Sequence, residues 1–252
     1  MKLGLFLGLM GLVMNQASAG VIESEKCDAL YANRGSDSLR AFECYSNLGN
    51  PKENYQKMFI ALSAAVNDLP KTTTERAAID QGLKLVASFR QDNGTTAEYY
   101  YWKACFVSFD VIEKDRGAII PTNMFGVLGE LQDTLQTAIK LDPTVHFYGP
   151  MRVLGMMHTQ MPLIVGGDKK LAEKMLREAY LKAPNFSMNH LAYAKILEIN
   201  GRTSEAIRVI NQYLNIDNNF FNPYPDQPLL SLLPETLKEK AEAQKLLNDI
   251  NE

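Results

Sequence analysis

Apolar positions along this chain of 252 residues recur every three or four residues, and strict alternation of apolar and polar positions is nearly absent. Spacing of three and four residues places apolar side chains on one face of an α-helix, whereas a half-buried strand needs a spacing of two. The pattern therefore predicts an all-α fold. The predicted helices cover residues 22–32, 37–48, 52–68, 74–91, 96–115, 123–141, 147–161, 168–183, 187–200, 203–216 and 235–250.

The helical pattern repeats in the C-terminal half of the chain. When residues 168–186 are aligned with residues 202–220, Ala172 falls opposite Ala206, and every aligned pair is 34 residues apart. An earlier segment, AIKLDP at 138–143, precedes the similar AYLKAP by 41 residues, so that unit carries about seven extra residues. A two-helix unit of 34 residues has the tetratricopeptide period.

Small residues and prolines fit this repeat physically. Alanines such as Ala172 and Ala206 let neighbouring helices approach closely, and Pro143 and Pro184 cannot continue a helix interior. Gly201 stands where the two helices of one hairpin must turn, a position that tolerates positive φ. We expect about five helix pairs that share a continuous core, because one pair alone buries too little surface.

Residues 135–220 resemble tetratricopeptide-like repeats, and this resemblance implies helix hairpins stacked into a solenoid. Pro162, Gly166-Gly167-Asp168 and Ala172, followed by an alanine–proline helix end, also resemble exported repeat proteins such as the T component of TRAP-type (tripartite ATP-independent periplasmic) transport systems. That second resemblance implies a protein that binds a protein partner or a small organic ligand and performs no chemistry.

The first residues predict a secretory signal peptide. Lys2 precedes the uncharged apolar run Leu3 to Met14, which is too short to span a bilayer, and Ala17-Ser18-Ala19 is a typical cleavage site. We expect residues 1–19 to be removed and the product to be exported, periplasmic or secreted. The remaining chain is predicted to form N-terminal helical hairpins over 20–122, the tetratricopeptide-like repeats over 123–233 and a capping helix over 234–252.

The capping helix is predicted to turn one apolar stripe towards the core, formed by Leu237, Ala241, Leu247 and Ile250. A solenoid needs such a helix to close its exposed end.

Charge and hydropathy exclude two classes of interaction, nucleic-acid binding and integration into a membrane. The net charge is −3, with both signs interspersed, whereas nucleic-acid binding needs a basic surface. No second long apolar run follows the leader, so the exported product is not expected to be membrane-integral. The sequence indicates neither a cofactor nor a metal cluster of the cysteine–histidine type.

The three cysteines predict one disulfide and one buried thiol. Cys27 and Cys44 lie at nearly equal distances on either side of the helix breaker at 33–36, which would bring them side by side in an antiparallel hairpin. Export makes such a bond possible. Cys105 is then left inside an aromatic helix.

The segment Gly166-Gly167-Asp168-Lys169 raises the question of a phosphate-binding loop. A Walker-type loop needs a Gly-Lys pair followed by Ser or Thr, and here Lys170 and Leu171 follow instead. Asp168 is placed to cap the next helix and would repel phosphate. The segment is therefore predicted to be a tight turn with a helix cap.

Candidate binding residues come from the predicted inner helices. Aromatic side chains cover nearly every face of the helix that contains YYYWKACFVSF, and most are expected in the core, with Tyr101 and Trp102 as exceptions because their polar atoms need partners. The predicted lining of a ligand or partner groove is Tyr101, Trp102, Met156, Met157, His158, Asn189 and Tyr193.

A different interpretation concerns the segment MMHTQM. Met157 and Met161 are four residues apart on one helix face beside His158, and two thioethers with an imidazole can hold Cu(I). Methionine also fills gaps between helices, and this is its commoner role in proteins. No sequence pattern of a nucleophile, base or paired carboxylates indicates an enzyme.

Overall fold

The computed structural model describes residues 24–33, 36–49, 51–68, 73–118, 122–221 and 232–252. Within these ranges the regular structure is helical and no strand occurs, so the all-α prediction is confirmed. The predicted signal peptide at 1–19 lies outside the described residues, as do residues 34–35 of the predicted helix breaker. The α-helices are α1 (24–33), α2 (Ser36–Ser46), α3 (Tyr55–Asp68), α4 (Thr73–Asn93), α5 (Ala97–Lys114), α6 (Thr122–Leu141), α7 (Val145–Gln160), α8 (Lys169–Lys182), α9 (Ser187–Ile199), α10 (Thr203–Asn215) and α11 (Leu233–Asn251).

The chain divides into two compact units, one ending at Leu85 and the other running from Val86 to Glu252. The boundary falls within α4. The division predicted from the repeat pattern, at 122/123, concerns where recognisable repeats begin and stays a prediction.

In the first unit, the predicted disulfide between Cys27 and Cys44 is present and joins α1 to α2. The same helices share a buried polar contact, in which the Tyr45 hydroxyl donates to the Asp28 carboxylate. Lys57 of α3 also donates to Asp28, at 3.2 Å. Burial raises the pKa of Asp28 above its usual range despite these partners.

The second unit is a succession of helix pairs. α5 packs on α6, α7 on α8 and α9 on α10, and each pair also packs on the next. The odd-numbered helices contact each other along the series, α5 with α7, α7 with α9 and α9 with α11. They form one continuous layer, which is how helix-hairpin repeats share a core.

The interval of 34 residues is visible in the helices themselves, because α8 begins at Lys169 and α10 at Thr203. The aligned pair Ala172 and Ala206 is fully buried in one core cluster with Leu176 and Ile210. The extra length of the preceding unit lies in two places. α7 has 16 residues where α9 has 13, and residues 161–168 connect α7 to α8 where residues 200–202 connect α9 to α10.

The Gly166–Lys169 segment is a turn and a helix cap, as predicted. Asp168 Oδ1 accepts hydrogen bonds from the N–H groups of Lys170 and Leu171, both at 2.9 Å. Gly166 has a φ of +90°, and a Cβ atom on Gly167 would lie 2.0 Å from the Met161 carbonyl oxygen. Both glycines are thus required by backbone geometry.

The capping helix α11 packs on α9 and α10, but with only Leu247 and Ile250 of the predicted stripe, because Leu237 and Ala241 are exposed. Leu237 is 51% exposed, whereas Thr236, Glu239 and Ala243 are buried. Leu247 and Ile250 do pack against the core, partly buried. The predicted stripe was wrong at its first turns because polar residues, rather than Leu237, face α9 there.

None of the helices in the described ranges is both long and apolar enough to cross a bilayer.

Candidate functional site

Three of the predicted groove residues come together in the second unit. Tyr101, Trp102 and Asn189 lie on α5 and α9, and all three are buried around a fourth residue, Arg152 of α7. Trp102 packs on the ring of His146, and the centroids of these two rings are 5.3 Å apart. We call the surroundings of Arg152 the arginine hub.

Arg152 is only 4% exposed, yet its guanidinium makes contact with neutral acceptors alone. It donates to Asn189 Oδ1 at 2.9 Å and to the Phe147 carbonyl oxygen at 3.1 Å. The Tyr101 hydroxyl and the His146 carbonyl oxygen lie at 3.5 Å. No described carboxylate forms an ion pair with Arg152. The charge is held instead by hydrogen bonds, since burying an unpaired charge is otherwise very costly.

Asn189 and Phe186 complete the hub. Asn189 Nδ2 donates to the carbonyl oxygens of Phe147, Ala179 and Ala183, at 3.0–3.2 Å. The Phe186 ring lies 4.4 Å from the Arg152 guanidinium carbon and stacks on the Phe147 ring at 5.1 Å. An aromatic face next to a desolvated cation adds attraction. The hub thereby ties the start of α7 to the corner between α8 and α9.

The first turn of α7 is not a right-handed helix. His146, Phe147 and Tyr148 have φ angles of +46°, +56° and +62°, a region that non-glycine residues rarely occupy. The regular helix begins at Gly149-Pro150, where proline fits because the first helical N–H groups have no partner inside the helix. A Cβ atom on Gly149 would meet the Tyr101 ring at 2.7 Å. Strain of this kind persists where surrounding contacts enforce it and is often found at functional sites.

Burial controls the protonation of the hub. It lowers the pKa of His146 to about 3, and the nearby charge of Arg152 adds to the effect. His146 Nδ1 is covered and has no hydrogen-bond partner among the described residues. Burial also raises the pKa of Cys105 to about 12, against the opposing effects of Tyr101 and Arg152. The His146 ring and the Cys105 thiol are therefore both neutral at neutral pH.

The other predicted groove residues lie elsewhere. Tyr193 stacks on Tyr180 with ring centroids 5.0 Å apart and belongs to the core cluster of α8, α9 and α10, against which Met156 also packs. Met157 packs against a separate cluster around Leu135. The two adjacent methionines therefore pack on opposite sides of α7.

His158 is buried at the end of α7, where its Nδ1 hydrogen bonds to the Gly166 carbonyl oxygen at 3.2 Å. Because a carbonyl oxygen can only accept, Nδ1 is the donor in this hydrogen bond. The ring is thus oriented by the turn at Gly166.

A second buried polar cluster joins α9 and α11. The hydroxyl groups of Ser187 and Tyr213 share a hydrogen bond, and Ser187 also bonds the Glu239 carboxyl group. Burial raises the pKa of Glu239 to about 7, although Ser187 and Arg152 act in the opposite direction. Glu239 Oε2 and Thr236 Oγ1 have no hydrogen-bond partner among the described residues.

An open cleft of about 590 Å³ lies where α8 and α10 end on either side of α9. We call it the α8–α10 cleft. Its rim carries two large apolar side chains, Leu181 and Phe220, which are 54% and 47% exposed. The cleft is lined by Tyr180, Leu181, Pro184, His190, Gln212, Asn215, Ile216 and Phe220.

A smaller cleft of about 410 Å³ occupies the corresponding place between the ends of α4 and α6. It is lined by Phe89, Asn93, Thr96, Ala97, Glu98, Leu141, Asp142 and Val145. Burial raises the pKa of Glu98, whose carboxyl group accepts a hydrogen bond from Trp102. This cleft thus lies next to the aromatic residues of the hub.

Sequence reasoning missed Arg152 and the α8–α10 cleft. Arg152 stands alone among apolar residues and glycines in GPMRVLGMM, a usable signal, because an arginine inside an apolar helix must find buried acceptors. No short sequence segment predicts the cleft, because its lining comes from three helices.

The described residues contain no group of three or more His, Cys, Asp or Glu side chains arranged to hold a metal ion. No protein-family model matches the chain and no curated protein matches it, so what its residues do has to follow from their contacts, burial and charge.

Proposed function

We propose that this chain is an exported helical-repeat protein that binds a protein partner or a small organic ligand without transforming it. The binding surface is the α8–α10 cleft, and the arginine hub holds the repeat that forms one of its walls. A role as a transport accessory, of the kind played by the T component of TRAP-type systems, follows from the sequence resemblance at 162–184.

The open apolar cleft is the observation that carries this proposal. Its volume of about 590 Å³ lies in the range of ligand sites, which are mostly apolar with a few polar groups that fix orientation. Gln212 and Asn215 supply such polar groups here. Leu181 and Phe220 are held on the rim, where apolar side chains gain most by being covered.

The hub supports the wall of this cleft. Arg152 and Asn189 together bond the carbonyl groups of Phe147, Ala179 and Ala183, and so fix the corner at which Pro184 enters the lining. His190 lies beside the same corner and bonds the Pro184 carbonyl oxygen at 2.7 Å. A rigid corner is what a preformed binding surface needs.

Export is supported by the disulfide between Cys27 and Cys44, because such bonds persist in oxidising compartments. Sequencing the N-terminus of the mature protein tests it directly. We expect a start at Gly20 in the exported fraction, and a start at Met1 would contradict export.

The proposed function is tested on the mature protein purified from its native host. Native mass spectrometry should show a bound small molecule or a partner protein, and Phe220→Ser should lower its occupancy roughly tenfold, since burying one large apolar side chain contributes about 1.5–3 kcal/mol. Leu237→Ser, which changes an equally exposed side chain on α11, should leave the occupancy unchanged. The proposal fails if nothing is bound or if both variants behave alike.

A second candidate function, Cu(I) binding, is favoured by the orientation of His158. Metal-binding histidines usually donate their other ring N–H to a carbonyl group, as His158 does to Gly166, and Met157 and Met161 stand nearby in sequence. The purified protein should then take up one Cu(I), and Met157→Ala with Met161→Ala should abolish uptake, whereas Met188→Ala should not. A wild-type protein that takes up no Cu(I) rules this function out.

A further inference from the structure

Two apolar side chains project from the connection between α7 and α8. Leu163 is 85% exposed and Ile164 is 93% exposed, in the 3₁₀ turn Leu163–Val165. Leu163 and Ile164 are here called the 163–164 tip. They are the most exposed of the large apolar side chains among the described residues.

The tip is held in a defined conformation. Gly166 donates its N–H to the Leu163 carbonyl oxygen at 3.0 Å, and Gly167 donates to the Pro162 carbonyl oxygen at 3.1 Å. His158 fastens the turn from the side through the Gly166 carbonyl oxygen. The two side chains are therefore kept outside by hydrogen bonds and by glycine geometry.

Connecting the two helices does not require this tip. The equivalent hairpin closes with residues 200–202 alone, whereas α7 and α8 are joined by residues 161–168. The additional residues expose apolar surface, which is unfavourable in water unless another surface covers it.

Positive charge lies directly beside the tip. Lys169 and Lys170 are exposed at the start of α8, and neither is paired with a described carboxylate. The neighbouring Asp168 carboxylate is engaged in capping the helix. Apolar side chains next to free lysines match a bilayer surface that carries anionic head groups.

The same edge of the second unit carries further apolar surface. Since successive helices of the stack run antiparallel, the end of α5 and the start of α6 lie at the edge that bears the tip. Ile112 and Phe125, at these two helix ends, are 46% and 42% exposed.

We propose that the 163–164 tip inserts into an anionic lipid surface, with Lys169 and Lys170 at the head groups. The protein thereby attaches peripherally by its α7–α8 edge. This attachment does not depend on an occupied α8–α10 cleft, which lies at the opposite end of α8, so the two proposals fail separately.

Sedimentation of the mature protein with vesicles tests the attachment. We expect binding to phosphatidylcholine vesicles that contain phosphatidylglycerol, and weaker binding to phosphatidylcholine alone. Leu163→Ser with Ile164→Ser should weaken binding more than roughly tenfold, and each of Lys169→Gln and Lys170→Gln roughly fivefold. Leu237→Ser, the matched exposed leucine on α11, should change nothing.

Insertion itself is measured with Ile164→Trp. Its fluorescence should be quenched by brominated lipids, whereas Trp102, the single tryptophan of the wild type, is buried and should not be. The proposal is overturned if the wild type does not bind vesicles. In that case the tip would instead bind a protein partner. The proposal is also overturned if the double serine variant binds as well as the wild type.

Discussion

At the scale of single residues, Arg152 organises the second unit although it carries a buried charge. Its guanidinium bonds the side chain of Asn189 and the backbone of the left-handed turn at 146–148. The Phe147 carbonyl oxygen also accepts a hydrogen bond from Asn189 Nδ2, which Arg152 itself holds in place through Asn189 Oδ1. The Arg152 side chain therefore acts as a brace, and its loss should remove the donor of the buried Asn189 Oδ1 and loosen the turn at 146–148.

We predict that Arg152→Met lowers the free energy of unfolding by about 2–4 kcal/mol, because buried acceptors that lose their donor are costly. Urea unfolding followed by circular dichroism measures this. Arg208→Met, at an arginine whose side chain is 63% exposed, should cost less than about 0.5 kcal/mol. Equal effects of the two changes would contradict the role of the hub.

Glu239 makes stability depend on pH. Its pKa is raised from the ordinary 4.5 to about 7, so the folded state binds the proton more tightly than the unfolded state does. The contribution of Glu239 to the free energy of unfolding is fully present below pH 4.5 and is lost as the pH rises to about 7. The free energy of unfolding thereby falls by about 3 kcal/mol. Glu239→Gln should remove that loss between pH 5 and 8.

Urea unfolding at a series of pH values tests the assignment to Glu239. Glu242→Gln is the control, because Glu242 lies on the same helix with its side chain 50% exposed. If the glutamine variant at 239 keeps the pH dependence of the wild type, the buried carboxyl group at 239 is not its source.

At the scale of helices, the sequence predicted nearly all that the structure shows. Each predicted helix is present within about three residues of its expected bounds, because apolar spacing and the breakers Gly201 and Pro184 are local signals. The left-handed start of α7 was not predicted. It depends on a contact with Tyr101, which is distant in sequence, and on Arg152, whose guanidinium is held in turn by the distant Asn189. The polar inner face of α11 was not predicted either, because its buried Glu239 bonds Ser187, which is also distant in sequence.

The turn before α8 gives a sharp test at this scale. Gly167→Ala should destabilise the protein by about 2 kcal/mol or more, since its Cβ atom would lie 2.0 Å from the Met161 carbonyl oxygen. Gly129→Ala, in α6 with open space around it, should instead stabilise by about 0.5–1 kcal/mol. Thermal unfolding of both variants distinguishes them, and a harmless Gly167→Ala would show that the turn is not fixed.

At the scale of the whole molecule, regular stacking of helix pairs explains both the core of the second unit and the surface at which we propose binding. The layer formed by α5, α7, α9 and α11 is filled by packed side chains, so Tyr101, Trp102 and Asn189 stabilise the stack. Open space occurs instead between the ends of successive even-numbered helices. Sequence reasoning could identify inner helices by their apolar residues, but it could not tell a filled layer from an open groove, because that depends on how closely neighbouring repeats approach.

Hydrogen–deuterium exchange tests the central claim most directly. The mature protein would be measured with its co-purified ligand or partner bound and again after its removal. We predict that binding slows exchange in the peptides that line the α8–α10 cleft, around 180–190 and 212–221, and leaves α6 unchanged. Slower exchange elsewhere with no change at the cleft would contradict the claim that this repeat protein binds there.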